Sequence, residues 1–96
     1  MAPDQFERIA KALADRRRFA IFEAIAAADE LACKTLVERL PIVQATVSHH
    51  LKELNLAGLI DIRREGQSSY LKARPLVLEE YLQQVRARLV RSRPRH

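Results

Sequence analysis

The chain has 96 residues, of which 48% are hydrophobic and 30% are charged, and its net charge is +5. This length fits one domain, and the balance of residue types is that of a globular chain rather than a disordered one. Two glycines leave no glycine-rich phosphate loop, and no apolar run approaches the roughly 20 residues of a transmembrane helix. The only cysteine, Cys33, cannot form an internal disulfide, which favours a reducing cytoplasm. The basic charge permits nucleic acid as a partner.

Two helices are predicted in the first third of the chain. The first covers residues 4–14, and its apolar face consists of Phe6, Ile9, Ala10 and Leu13. Asp15 is a typical N-cap for a second helix over 16–28. The predicted buried side of that helix consists of Phe19, Phe22, Ile25 and Ala26. Residues 16–18 are three arginines in its first turn, where the helix dipole disfavours cations. They form either a solvated surface or a contact with a phosphate chain.

A helix-turn-helix is predicted over residues 33–56. Its first helix, from about 33 to 40, is ended by Pro41, and a short turn leads directly into a helix from about 44 to 56. Gly58 lies just past that helix, where a left-handed residue is expected. The inward side of the first of these two helices consists of Leu36, Val37 and Leu40.

A β-hairpin and a last helix complete the pattern. Residues 60–73 alternate apolar and polar side chains on either side of a turn at Gly66, which predicts a hairpin with a basic, polar tip. Pro75 opens a helix that runs to about residue 91. The apolar stripe of this helix consists of Leu78, Tyr81 or Leu82, Val85 and Leu89. The last six residues, RSRPRH, form a short basic tail.

The helix over 44–56 has two different faces. At about 100° per residue, Val47, Leu51 and Leu54 share the side that must face the core. The residues on the opposite side and at the N-terminal end are Gln44, Ala45, Thr46, Ser48, His49 and Lys52. They are small, or they carry hydrogen-bond donors or a positive charge. Such a face suits the major groove of DNA, where small residues allow close approach and polar ones reach base edges or phosphates.

The two adjacent histidines do not indicate a metal site or a catalytic site. His49 and His50 point about 100° apart, so they cannot chelate one ion together. The same geometry argues against Ser48 as a nucleophile activated by His49, and no third orienting group is evident. No enzymatic activity is predicted. His50 lies at the edge of the core face and is expected to be packed and hydrogen-bonded, whereas His49 points outward as a candidate DNA contact.

Three segments of the chain resemble the ArsR-type winged helix-turn-helix repressors: LADRRRFAIFEAI, ATVSHHLKELNLAGLI and RREGQSSYLKA. The resemblance covers about residues 8–85. It implies a single domain over 1–96 that is mainly α with a small β-hairpin, in the order α-α-α-α-β-β-α. It also implies a homodimer that binds double-stranded DNA as a repressor. The cysteine count and the short apolar runs add the expectations of a cytoplasmic location and of no membrane partner.

The resemblance assigns roles to residues by their position. It places the helix-turn-helix at about 33–56, the wing at about 60–73 and the dimerisation helices at about 4–14 and 75–91. The implied DNA-binding residues are Gln44, Thr46, Ser48, His49, Lys52, Arg63, Arg64, Gln67 and Ser68. The implied dimer-interface residues are Phe6, Ile9, Leu13, Leu78, Leu82, Val85 and Leu89.

The metal effector of many family members does not carry over to this chain. Metal-sensing members often have the cysteine pair ELCVCDL, and the matching stretch here is ELACKTL, with Ala32 and Lys34 at the two cysteine positions. Other members bind zinc through the last helix, which here has no histidine, and Glu79 and Glu80 are weak ligands for a soft metal. We therefore expect no metal and no cofactor. Cys33 is interpreted as a half-buried structural thiol, with a redox role as the alternative.

Two functions follow from the pattern. The first is a sequence-specific DNA-binding regulator, a homodimeric repressor of an inverted-repeat operator. The second is a protein–protein interaction module, since winged helices also bind proteins. The few acids near the helix over 44–56 and the basic tip of the hairpin favour DNA.

Overall fold

A computed structural model of the protein describes residues 1–90. Its helices and strands, in chain order, are α1 (Pro3–Ala14), α2 (Arg16–Ala26), β1 (Leu31–Ala32), α3 (Cys33–Arg39), α4 (Gln44–Leu56), β2 (Ile60–Glu65), β3 (Ser68–Ala73) and α5 (Pro75–Leu89). The prediction of a mainly helical domain with a small hairpin is confirmed. The predicted basic tail lies outside the described residues. Within residues 1–90, no helix combines the length and apolar character that crossing a bilayer requires.

Local chemistry sets the helix boundaries. Pro3 and Pro75 occupy the first positions of α1 and α5, where a missing backbone N–H costs nothing. The Asp15 carboxylate accepts hydrogen bonds from the backbone N–H groups of Arg17 and Arg18, both at 3.0 Å, which confirms Asp15 as the N-cap of α2. α4 has the predicted bounds, and Gly58 follows it with a φ of +82°, the left-handed conformation that the sequence predicts there.

The sheet has three strands, whereas the sequence pattern predicted only the hairpin. The strand order is β1-β3-β2, with both pairs antiparallel, and Leu31 of β1 lies opposite Leu71 of β3. β1 was missed because two residues are too few for the alternation that reveals a strand. Its pairing attaches the start of α3 to the hairpin. The turn between β2 and β3 contains Gly66, whose φ is +61°.

The core lies where α1, α2, α3 and α4 meet the buried side of the sheet. Its fully enclosed large side chains are Ile9, Ile21, Ile25, Leu36, Val47, Leu54, Leu59, Ile60 and Leu71. The predicted buried side of α2 was partly wrong. Phe19 is 49% exposed, Ala26 is also exposed, and Ile21 is buried instead. The buried arc of α2 passes through Ile21, Phe22 and Ile25, and Phe19 lies about 110° from its centre.

Replacing each glycine by alanine separates two effects on stability. Gly66, in the hairpin turn, tests left-handed backbone strain alone, and Gly58, just after α4, adds a side-chain clash. A Cβ at Gly58 would meet Gln5 Nε2 at 2.8 Å, whereas a Cβ at Gly66 meets nothing within 4 Å. Gln5 Nε2 donates to the carbonyl of Ala57 over 3.3 Å, so this clash breaks a bond between α1 and α4. We expect Gly66→Ala to lower the free energy of unfolding by about 1–2 kcal/mol through left-handed strain. Gly58→Ala should lower it by about 1 kcal/mol more.

Urea unfolding followed by far-ultraviolet circular dichroism measures both losses. Equal losses in the two variants would show that the contact between Gln5 and Ala57 contributes nothing to stability.

Candidate nucleic-acid interface

α4 presents a polar face to solvent and an apolar face to the core, as the sequence predicts. Val47 and Leu54 are fully buried and Leu51 is 6% exposed. The exposed residues on the other side are Gln44, Ala45, Ser48, His49 and Lys52, with Thr46 half-buried. Ala45 and Ser48 are small, so a duplex can approach the helix backbone closely along the N-terminal part of this face.

A groove of about 950 Å³ runs between α3, α4 and the hairpin. We call it the α4–wing groove. The predicted DNA-binding residues that line it are Gln44, Ser48, Lys52, Arg64, Gln67 and Ser68. Thr46, His49 and Arg63 lie outside its lining. The fold therefore brings most of the predicted residues from α4 and from the wing to one surface.

Lys34 is a further cation in the α4–wing groove that the sequence pattern did not identify as a contact. It belongs to the first turn of α3, a helix too short for its faces to be assigned from periodicity. Together with Lys52 and Arg64 it gives the groove three positive charges, against one carboxylate, Glu38, in the described lining. This balance favours a polyanion as the occupant.

Arg63 and Arg64 are neighbours on β2 but have different surroundings, because successive side chains on a strand point to opposite faces. Arg63 lies opposite Tyr70 in the hairpin, and its guanidinium lies 4.6 Å from the centre of the Tyr70 ring. It bonds Glu30 at 2.9 Å and also bonds Glu65. The hydrogen bond from Arg63 lowers the pKa of Glu30, and the two carboxylates raise the pKa of Arg63.

Arg64 points to the other face of the hairpin. It lies opposite Ser69, to whose hydroxyl its Nη1 donates over 3.5 Å. Within residues 1–90 it forms no ion pair, so its charge remains available on the wall of the α4–wing groove. Of the two wing arginines, Arg64 is therefore the one whose charge is unpaired within residues 1–90, whereas Arg63 is paired with Glu30 and Glu65.

His50 has the packed, hydrogen-bonded role that its position predicts. It is 5% exposed, and its Nδ1 accepts a hydrogen bond from Arg18 Nε over 3.2 Å. Burial lowers the pKa of His50, and the nearby carboxylate of Asp15 partly opposes this effect. His49 is exposed, with its ring centre 5.8 Å from that of His50.

The three arginines at 16–18 do not share one role, whether as a solvated surface or as a contact with a phosphate chain. Arg16 and Arg17 are exposed, whereas Arg18 is half-buried and bonds His50. Cys33, at the start of α3, is a partly exposed free thiol. Across the described part of the chain, no three His, Cys, Asp or Glu side chains form a group that could hold a metal ion.

Comparison with known proteins identifies the family. A family model described as a helix-turn-helix domain matches residues 13–63. YceK of Bacillus subtilis (strain 168), an uncharacterized HTH-type transcriptional regulator, is 36% identical over 76 residues, which make up 78% of this chain and 76% of YceK. The arsenical resistance operon repressor of Staphylococcus aureus is 28% identical over 83 residues, 86% of this chain and 79% of the repressor.

A solved structure agrees with these matches. The homodimeric winged helix-turn-helix DNA-binding domain Mb0332 of Mycobacterium bovis, a possible ArsR-family transcriptional regulator, is 29% identical with a TM-score of 0.71, and the match covers 97% of this chain and 88% of that domain. The chain belongs to the ArsR-type helix-turn-helix transcriptional regulators. It is a DNA-binding transcriptional regulator of this family and not an enzyme.

The surface of this ArsR-type regulator formed by α1 and α5 is only partly covered by its own chain. Phe6 of α1 packs against Tyr81 of α5 with ring centres 5.1 Å apart, and Arg88 lies over the Phe6 ring at 4.2 Å. No residue of α5 is buried, however, and the exposed apolar residues of α5 and of the position after it are Leu76 (81%), Leu82 (49%), Leu89 (76%) and Val90 (54%).

The predicted dimer-interface residues therefore differ in how far they are exposed on this surface. Leu82 and Leu89 are exposed, and those that are half-buried are Phe6, Leu13, Leu78 and Val85. The assignment of Ile9 was wrong. Ile9 is 0% exposed because α1 packs against α2 and α4 on that side, so it belongs to the core of one subunit.

Proposed function

We propose that this regulator is a homodimeric repressor that binds an inverted-repeat operator. The observation that carries the proposal is the continuous surface that joins the small polar face of α4 to the wing through the α4–wing groove. Two similar proteins support it: one is an arsenical resistance operon repressor and the other is a homodimeric DNA-binding domain. Because such a regulator acts on DNA and retains a free thiol, we place it in the reducing cytoplasm.

In the proposed complex, α4 enters the major groove. Gln44, Thr46, Ser48 and His49 lie towards base edges, and Lys52 lies against a phosphate. The wing reaches the adjacent backbone through Arg64, Gln67 and Ser68. We expect Arg63 to orient the wing by bonding Glu30, since its charge is already neutralised. Phosphate neutralisation supplies much of the affinity, so binding weakens steeply with salt.

The α5 surface supports the proposed dimer. A helix of 15 residues gains little stability alone in water and normally buries an apolar face. α5 half-buries Leu78 and Tyr81 against its own chain but leaves other leucines exposed. A second copy of the chain related by a twofold axis would cover them. The two copies of α4 would then lie about 34 Å apart, one duplex turn, which predicts an inverted repeat.

We further propose that metal does not control this regulator through the cysteine or histidine sites of its family. Ala32 and Lys34 stand where the paired thiols of metal-sensing members would be, and α5 contains no histidine. Lys34 instead faces the α4–wing groove, where its charge suits a nucleic acid.

The experiment that tests the proposal is selection of bound duplexes from a random pool. We expect a palindromic consensus, retention on heparin that is lost as salt increases, and one dimer per site. A chain that selects no sequence and shows no salt-sensitive retention would instead be an interaction module.

Substitutions on α4 should separate positioning contacts from base contacts. Lys52→Ala should weaken binding to most sequences alike, because a phosphate contact carries no sequence information. Ser48→Ala and His49→Ala should change preference at one or two base pairs, by ~1–3 kcal/mol each. Gel-shift titration measures both effects. Lys11→Ala, which removes an exposed lysine on α1, is the matched control. Unchanged operator affinity in all three α4 variants would mean that another face binds DNA.

The two wing arginines should differ in their effect on the salt dependence of binding. Arg64→Gln should reduce the slope of log K against log salt by about one per subunit, because one phosphate contact is lost. Arg63→Gln should lower affinity with little change in slope, because its guanidinium bonds Glu30 and Glu65. Fluorescence anisotropy at several salt concentrations measures both slopes. The opposite ranking would assign the phosphate contact to Arg63.

The proposed dimer interface can be tested on α5. Leu89→Glu places a charge in the exposed apolar surface and should give a monomer in light scattering, because burying that charge is costly. Gln83→Glu adds the same charge at an exposed polar position of α5 and should remain dimeric. A Leu89→Glu chain that stays dimeric would place the interface elsewhere.

A further inference from the structure

One polar chain of contacts joins the start of α2 to the middle of α4. Asp15 accepts from the backbone N–H groups of Arg17 and Arg18 at 3.0 Å, which holds the first turn of α2 in place. From that turn, Arg18 Nε donates to His50 Nδ1 over 3.2 Å. Arg18 is half-buried and His50 is 5% exposed, so water competes little for this bond.

We propose that His50 is a positioning residue for DNA recognition. Its hydrogen bond from Arg18 fixes the rotation of α4 on α2, and so sets the direction in which Ser48 and His49 leave the helix. This inference rests on the proposed function, since it assumes that α4 reads the operator.

The need for such a bond follows from the way α4 is packed. Its core face consists of Val47, Leu51 and Leu54, and apolar packing of this kind has no strong directional preference. A rotation of α4 by about 20° moves a side-chain tip at the ~6 Å outer radius of the helix by ~2 Å. A hydrogen bond to a base edge tolerates only about 0.5 Å in length. The directional bond between Arg18 and His50 supplies the restraint that the leucines and valine lack.

The bond also makes the position of α4 sensitive to protonation. Nδ1 of His50 can accept only while the ring is neutral and its proton is on Nε2. The charged and titratable groups that face His50 are Asp15 at the start of α2, Arg17 and Arg18 on α2, and His49 on α4. Among them only Asp15 favours the charged ring, and burial favours the neutral one.

Through His50, acidification lowers the stability of the fold. Burial holds the pKa of His50 in the folded chain below its ordinary value of 6.5. As the pH falls through 6.5, the unfolded chain takes up a proton first, so the stability of the fold decreases. The hydrogen bond itself is present above the lowered pKa and is lost as the pH falls through it.

Three variants separate positioning from packing. His50→Asn keeps an acceptor at the position of Nδ1 but cannot titrate, His50→Leu keeps bulk without an acceptor, and Arg18→Lys keeps the charge but removes the Nε donor. His49→Asn makes the same change at the exposed neighbouring position and is the matched control for the unfolding measurements only, because His49 is itself a proposed base contact. Lys11→Ala remains the control for operator affinity. Operator affinity, helical circular dichroism and the free energy of unfolding are measured for each between about pH 5.5 and 7.5.

We expect His50→Leu and Arg18→Lys to retain helical structure. Near pH 7.5, both should lose at least about tenfold in operator affinity, because that factor corresponds to the loss of a hydrogen bond that involves a charged group. His50→Asn should bind within about threefold of the unaltered chain, and its unfolding should lose the acid-dependent step. His49→Asn should retain that step.

A free-protein measurement completes the test. Side-chain ¹⁵N shifts of His50 should show the tautomer with a proton on Nε2, and Arg18→Lys should abolish that preference. An unchanged His50 spectrum in Arg18→Lys would refute the bond, and an acid-dependent step that persists in His50→Asn would refute the assignment of that step to His50. Wild-type affinity in a folded His50→Leu chain would refute the positioning role alone. Absence of salt-sensitive DNA binding by the unaltered chain would refute the proposed function, while the spectrum would still decide whether the bond exists.

Discussion

The burial of three residues on one side of α4, Val47, Leu51 and Leu54, is the constraint on which the proposed DNA-binding surface depends. Each contributes about 1.5–3 kcal/mol by leaving water, which is large beside the 5–15 kcal/mol or so that stabilises a typical domain. Because these residues decide which side of α4 faces inward, the opposite side is free of packing demands. That freedom leaves Ser48, His49 and Lys52 available for the proposed contact with DNA.

Polar contacts between distant parts of the chain add to the restraints that burial places on the fold. Arg63 reaches from the hairpin to Glu30, just ahead of β1, and Arg18 reaches from α2 to His50. Both contacts involve an arginine that a count of positive charge would assign to DNA binding. The basic composition of the chain therefore overstates the charge available to a duplex, and the position of each guanidinium decides its role.

The features that the sequence predicts well are those with a local cause. α4 has its predicted bounds because its apolar spacing, the turn after Pro41 and Gly58 all act within a few residues. The same holds for the Asp15 cap. The features that were missed depend on contacts between distant residues. β1 exists only because β3 pairs with it, and Ile9 is buried because α2 and α4 enclose it. Glu30, which pairs with Arg63, and His50, which pairs with Arg18, lie 33 and 32 residues from those arginines, beyond any periodicity.

The uncovered leucines of α5 have a consequence for how such a regulator responds in a cell. If two chains must meet before an operator can be occupied, occupancy at low abundance rises with the square of the chain's concentration. Without any bound effector, the operator occupancy of such a repressor would then depend on the concentration of the repressor itself. A twofold change in synthesis or degradation would then change operator occupancy by up to about fourfold.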